Sequence, residues 1–141
     1  KNASTFEKER YMTYPAAIRQ NIEIVEESYE FMLAYAAQGR MDEGAGADGA
    51  HIRTFLERFA TAAADMKSQA EALMVGDNSV GGALFESFQR DSDFVLSVLR
   101  VLLARDNISS EMVDNSNGLN FMRSYLTTLF FIDKVIVVDT E

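Results

Sequence analysis

Few side chains in this chain have the chemistry that catalysis requires. His51 is the single histidine and cysteine is absent, so a thiolate zinc site, a cysteine nucleophile and a His-based triad all lack a part that they need. A ferritin-like di-iron site would need a histidine from each of two Glu-x-x-His motifs. Since His51 follows a glycine-rich loop at a predicted helix start, we interpret it as an exposed helix-terminal residue rather than a mid-helix phosphotransfer histidine.

Carboxylates are the remaining candidates for chemistry. Glu23 and Glu26 are three positions apart, as are Glu27 and Glu30, and residues at that spacing share a helix face and can hold one cation through oxygen ligands. With the acidic pair at 111–114, the spacing is similar to the Glu-x-x-Glu and Glu-x-x-Asp pairs of some all-helical nucleotide pyrophosphohydrolases. That enzyme is the alternative interpretation. An acidic helical chain also produces such pairs by chance, and we expect no resident metal or cofactor.

Two further polar residues interrupt an apolar helix face. Apolar side chains recur in three- and four-residue steps from Leu84 to Leu103, which predicts a helix with one buried face. The next step along that face falls on Asp91 or Ser92, so we expect one of them to be buried and hydrogen-bonded. For Asp91 we expect an ion pair with an arginine of a neighbouring helix. The candidate arginines are Arg19, Arg53, Arg58 and Arg123.

The elements that position these residues are four amphipathic segments. The pattern predicts helices at 15–38, 50–75, 84–103 and 119–138, with a short helical turn at 109–113. We therefore expect an all-α, up-down-up-down four-helix bundle that forms a single domain over 1–141, with 1–12 as a flexible N-terminal segment. The predicted helix starts have these capping or first-turn residues: Thr13 or Tyr14 before Pro15, then Asp48, then Asp77 or Ser79, then Ser109 or Ser110.

Apolar side chains also lie off the predicted core faces. In helix 1 these are Ile24, Phe31 and Tyr35, and in helix 4 they are Phe130 and Phe131. A wide apolar stripe can pack against two neighbours inside one bundle, or it can form a subunit interface. We take these five residues as binding candidates for a protein partner or a second copy, with a homodimer as the expected assembly.

Charge and composition restrict the partners. The formal net charge of −9 and the scattered basic residues argue against nucleic acid and anionic membranes, which bind clustered lysine and arginine. The apolar run at 125–138 is too short to span a bilayer and contains Asp133 and Lys134. The absence of cysteine fits a reducing compartment, so we expect a cytoplasmic location.

The sequence thus favours a non-enzymatic, acidic helical bundle that acts through protein contacts. Adaptors, export chaperones and subunits of larger assemblies are proteins of this kind. Besides the metal-dependent enzyme, a binder of a small apolar ligand between the helices stays open as an alternative.

Overall fold

The computed structural model describes residues 5–44, 47–73 and 81–137, and over these ranges all regular structure is helical. The elements are α1 (Thr5–Ala37), α2 (Ala47–Leu73), α3 (Gly82–Leu103), α4 (Ser110–Asn117) and α5 (Asn120–Phe131), and α5 continues into a π-helical segment (Ile132–Val137). The all-helical class agrees with the sequence pattern. The described part of the chain nevertheless contains five α-helices where four were predicted.

Helix α1 begins well before its predicted start. It runs from Thr5, so Pro15 lies inside the helix and the predicted start at Thr13 or Tyr14 is wrong. Residues 5–12 include Glu, Lys, Arg and Met, which are good helix formers. The helix therefore continues through Pro15, although an internal proline removes one backbone hydrogen bond and crowds the preceding turn.

The starts of α2 and α3 also differ from the predicted caps. Helix α2 begins at Ala47, which places Asp48 inside its first turn rather than at the cap. The N-cap of α3 is Gly81, with a left-handed backbone (φ 91°), a conformation that glycine adopts without the steric cost of a Cβ. Asp77 and Ser79 lie outside the described residues.

The C-terminal third is divided into two helices. Ser109 caps α4 as predicted, because its hydroxyl accepts a hydrogen bond from the Met112 amide at 3.2 Å. Helix α4 then continues to Asn117, four residues beyond the predicted end of this turn at residue 113. The β-branched residues at 135–137 are helical rather than extended, as predicted, and Val138 lies outside the described residues.

Successive long helices pack side by side and run antiparallel. Helix α1 packs on α2, α2 on α3 and α3 on α5, while α4 and the π-helical segment both contact α1. No described helix combines the length and apolar composition that a bilayer crossing requires. Contacts that show these pairings are Phe31 with Phe55, Asn21 with Gln69, Lys67 with Asp93, and Phe94 with Phe121.

One hydrophobic core joins all the helices. Its largest fully buried side chains include Tyr35, Phe59, Phe88 and Tyr125, one from each of the four main packing elements. Other core residues recur in three- and four-residue steps along their helices, among them Ile18, Ile22, Val25, Met32, Ile52, Met66, Val95, Leu99, Leu102, Met122 and Leu129. This core fixes the rotation of each helix and thereby decides which apolar residues reach the surface.

Candidate protein-contact surface

An exposed apolar surface lies where α3 meets the start of α5. Phe94 is 54% exposed and Val101 is 63% exposed, and the half-buried Val98 lies between them on the same side of α3. The ring of Phe94 meets the ring of Phe121 edge to face, with 4.7 Å between centroids. The exposed Leu119 precedes Phe121. We call these five residues the α3–α5 face.

This surface exists because α3 is apolar on two sides. Its inward side carries Phe88, Val95 and Leu99, all fully buried. Phe94 and Val101 lie away from that side, and their spacing of seven residues, about two helical turns, keeps them on one line along the helix. Neither residue lies on the inward side of α3, so the periodicity that predicts the core does not include them. The sequence signal that indicates them is this second apolar repeat in the same helix.

Two opposite charges lie at the ends of the α3–α5 face. Asp91 is half-buried and Arg105 is exposed. Asp91, Phe94, Val98 and Val101 follow steps of three and four residues along one side of α3, and Arg105 lies two residues after the helix ends at Leu103. No ion pair joins either charge to another of the described residues.

The predicted ion pair of Asp91 is therefore absent from the described part of the chain. Three of the four candidate arginines form ion pairs with other acids. The pairs are Arg19 with Asp133, Arg53 with Glu43, and Arg58 with Glu27. The polar residue that occupies the core position in this helix is therefore Ser92, not Asp91.

Ser92 is fully buried on the inward side of α3. Its hydroxyl donates to the Phe88 carbonyl at 2.7 Å, so a polar residue occupies a core position without an unpaired donor. Tyr125 lies next to it, fully buried and stacked on Phe88 with 5.8 Å between centroids. Burial raises the pKa of Tyr125 and the Ser92 hydroxyl opposes that rise, but no described group completes a well-aligned hydrogen bond with the Tyr125 hydroxyl.

The second apolar stripe of helix 1 packs mainly inside the bundle. Tyr35 is fully buried, and its hydroxyl donates to the Ile108 carbonyl at 2.6 Å, so its assignment as a surface binding residue was wrong. Burial raises the pKa of Tyr35. Phe31 stacks on Phe55 with 4.2 Å between centroids, and Ile24 is partly buried against the core. The wide stripe thus contacts neighbouring helices, which is the first of the two interpretations.

Phe130 and Phe131 do reach the surface, each almost half exposed. They lie at the end of α5, nine and ten residues after Phe121, which places them about 14 Å further along the helix. Phe130 is also about half a turn around the helix from Phe121. These two residues therefore do not extend the α3–α5 face.

The acidic residues of helix 1 do not converge on one point. Glu23 and Glu26 line a groove between α1 and the π-helical segment, together with Arg19, Asp133 and Lys134. The cationic side chains of Arg19 and Lys134 would compete with a metal ion. The other two are both exposed. Glu27 forms an ion pair with Arg58 of α2 at 3.2 Å, whereas no such pair of Glu30 is seen among the described residues. Among the described residues no group of three or more acidic or histidine side chains could hold a metal ion.

A polar clamp closes the end of the bundle that carries the α1–α2 and α3–α4 loops. Arg53 donates to both carboxylate oxygens of Glu43, at 2.9 and 2.6 Å, and to the carbonyls of Leu103 and Arg105. The Ile108 amide donates to the same carboxylate at 2.8 Å. The hydrogen bonds from Arg53 hold the pKa of Glu43 below its ordinary value, and those to Glu43 raise the pKa of Arg53.

His51 is exposed near the start of α2 and lies edge to face with Phe31, 6.4 Å between ring centroids. The acidic pair at 111–114 is exposed on α4. Comparison with known protein families, curated proteins and solved structures found no match to this chain.

Proposed function

We propose that this protein is a non-enzymatic helical module that works through protein contacts made by its α3–α5 face, as a homodimer or as a subunit of a larger assembly. The observation that carries the proposal is the pair of aromatic rings, Phe94 and Phe121, held edge to face at the surface beside the exposed Val101. Aromatic side chains are enriched at the centres of protein interfaces, where they supply much of the binding energy.

The free energy available at this face is appreciable. A phenylalanine side chain can bury 150–250 Å², and 54% of Phe94 is exposed. Covering it would remove about 100 Å² of apolar surface from water, a gain of about 2.5 kcal/mol per subunit at 25 cal/mol/Å². Covering Val101 and Leu119 would add to this gain, which offsets part of the free-energy cost of association.

As the architecture of this module we propose an up-down-up-down bundle in which α4 and α5 together take the fourth position. Two contacts, one near the middle and one near the end of α1, support this. Tyr35 contacts Ile108 just before α4, and Arg19 contacts Asp133 just after α5, as expected if α4 and α5 follow one another antiparallel to α1. For its compartment we propose the cytoplasm, on the basis of the cysteine-free sequence.

The test is the assembly state of matched surface variants, measured by native mass spectrometry and sedimentation velocity. We expect the unmodified chain to associate and the double variant Phe94→Ser, Val101→Ser to lose association while its circular dichroism stays helical. Leu33→Ser is the control, because Leu33 is also an exposed apolar residue but lies on α1. It should associate like the unmodified chain.

Two results would contradict the proposal. One is equal loss of association in Leu33→Ser and in the double variant, which would show no preference for the α3–α5 face. The other is a mass excess matching a divalent ion or an organic ligand in the native spectrum, together with no association. That result would favour the carboxylate enzyme or the apolar-ligand binder instead.

A further inference from the structure

An asparagine–glycine pair lies at the junction between α4 and α5. Asn117 is the last residue of α4, Gly118 is its C-cap, and α5 begins at Asn120. No other asparagine in the chain is followed by glycine. In such a pair the glycine backbone nitrogen can attack the side-chain amide carbon of the asparagine, because glycine has no Cβ to obstruct the approach. The pair is therefore a candidate site of deamidation.

The side chain of Asn117 is held by packing rather than by hydrogen bonds. The residue is 8% exposed, and neither its Oδ1 nor its Nδ2 forms a hydrogen bond with a described group. Most buried side-chain polar atoms in folded proteins do have such a partner. Hydrogen bonds to the side-chain amide therefore do not protect it from attack, and its protection comes from burial and from the backbone.

The backbone around Gly118 keeps the attacking nitrogen occupied. The Gly118 amide donates to the Asp114 carbonyl at 2.9 Å, and the next amide, that of Leu119, donates to the Ser116 carbonyl at 3.3 Å. Gly118 itself is right-handed helical, with φ −73° and ψ −12°. To attack, its nitrogen must leave the Asp114 carbonyl and approach the side chain of Asn117. The reaction thus requires local opening of the last turn of α4.

We propose that Asn117 is a deamidation site that is shielded in the folded chain and reacts when the α4–α5 junction opens. The Gly118 nitrogen loses its proton to solvent and bonds to Cγ of Asn117, and the Cγ–Nδ2 bond breaks as Nδ2 takes a proton and leaves as ammonia. Water then opens the resulting succinimide at either of its carbonyl carbons, which gives aspartate or isoaspartate at position 117. Water is the only co-reactant.

The product fits the closed junction less well than asparagine does. An aspartate at position 117 places a charge at a buried position where no described group donates a hydrogen bond. It also adds a negative charge to the C-terminal end of α4, where the helix dipole is negative, one turn after Asp114. Isoaspartate in addition lengthens the backbone by one carbon. Deamidation therefore favours the open junction, and it does so whether or not the α3–α5 face binds a partner.

The first experiment measures where and when the unmodified chain deamidates. Trypsin cleaves after Arg105 and Arg123 and releases peptide 106–123, which contains Asn117 and three other asparagines. After incubation at neutral pH, fragmentation mass spectrometry of this peptide locates the mass increase. In urea, residue 117 should react at least about tenfold faster than the other three, and in the folded chain at least about tenfold slower than in urea.

The control for the chemistry is Gly118→Ala. A Cβ at this position would lie 3.4 Å from the Asp114 carbonyl oxygen, and the right-handed backbone there suits alanine, so the variant should stay folded. Its Cβ obstructs the approach to the Asn117 side chain. In urea its deamidation at residue 117 should therefore fall to the rate of the other asparagines.

The second experiment measures the effect of the product. In Asn117→Asp, backbone hydrogen exchange at the end of α4 and the start of α5 should become at least about tenfold faster than in the unmodified chain. Asn115→Asp is the matched control, because Asn115 is exposed on the same helix, and it should leave this exchange nearly unchanged.

Three results would overturn the inference. Slow reaction of residue 117 in urea would show that it is not a deamidation site, and equal rates in urea and in the folded chain would show that the junction does not shield it. Unchanged exchange in Asn117→Asp would show that the product fits the closed junction. The rate measurements use the unmodified chain, so they decide the first two points even if Asn117→Asp fails to fold.

Discussion

The Glu43–Arg53 pair should contribute more to stability than any other ion pair described in this molecule. Glu43 is in the loop that joins α1 to α2, and its carboxylate accepts three hydrogen bonds, two from Arg53 and one from the Ile108 amide. Its side chain is 17% exposed and that of Arg53 is 32% exposed. The change to make is Glu43→Ala, alone and combined with Arg53→Ala.

The size of the effect follows from these contacts. Hydrogen bonds to charged groups contribute roughly 1.5–3 kcal/mol each when well shielded, and the partial exposure of this pair places the effect at the lower end. We expect Glu43→Ala to lower the free energy of unfolding by about 2–3 kcal/mol, since it leaves the Ile108 amide without its acceptor and the Arg53 guanidinium without its carboxylate partner. The coupling energy between the two residues should be about 1–2 kcal/mol.

Urea unfolding followed by circular dichroism measures all four members of the double-mutant cycle. With a slope of roughly 1–3 kcal/mol per M, Glu43→Ala should lower the midpoint by about 1 M. The control cycle uses Glu27 and Arg58, which also join α1 to α2, at 3.2 Å, but are 61% and 42% exposed. Its coupling should stay below about 0.5 kcal/mol. Equal coupling in both cycles would refute the argument that shielding and multiple hydrogen bonds make the clamp strong.

The same pair predicts a pH dependence with a definite sign. Hydrogen bonds from Arg53 lower the pKa of folded Glu43 below its ordinary value of 4.5, so below that value the unfolded chain binds more protons than the folded one. The contribution of Glu43 is therefore complete above about pH 4.5 and is lost as the pH falls through the folded pKa. The stability difference between the unmodified chain and Glu43→Gln should shrink over that acidic range, and a constant difference would contradict the assignment.

Two pairs of matched substitutions make further predictions, both measured by urea unfolding. Tyr35→Phe should lower the free energy of unfolding by about 1–2 kcal/mol, because it removes the 2.6 Å hydrogen bond to Ile108. Tyr125→Phe should change it by less than about 0.5 kcal/mol or raise it, because that buried hydroxyl has no aligned partner; equal losses in both variants would contradict this. Gly81→Ala should destabilise by about 1–2 kcal/mol because Gly81 is left-handed at φ 91°, whereas Gly82→Ala, which has open space around its Cβ position, should be neutral or stabilising.

Much of the fold could be predicted because its core follows helical periodicity closely. The predicted helix at 84–103 differs from α3 by two residues at its start and by none at its end. Ser92 was singled out because it interrupts an otherwise apolar track, and it is fully buried. The start of α1 was mispredicted because Pro15 is a strong local signal. A proline indicates a helix start only when the residues before it do not form a helix, and the residues before Pro15 are helix formers.

The surface could be predicted less well because periodicity identifies an apolar side without telling which side faces inward. Tyr35 and Phe94 both lie off the main track of their helix, yet Tyr35 is fully buried and Phe94 is 54% exposed. The difference arises from the neighbours. The segment before α4 covers Tyr35, whereas the only described aromatic ring that contacts Phe94 is that of Phe121. The Glu43–Arg53 clamp could not be predicted from local sequence patterns either, because its third member, Ile108, is 65 residues from Glu43 along the chain.

Because α3 is apolar on two sides, its rotation about its own axis determines which apolar residues are exposed at the surface. Phe88, Ser92 and Leu99 hold the inward side against the other helices, and by doing so they set the direction in which Phe94 and Val101 point. A rotation of one residue position, about 100°, would move the outward apolar line away from Phe121 and separate it from the start of α5. The core packing that stabilises this bundle is therefore also what would hold the contact surface in one orientation.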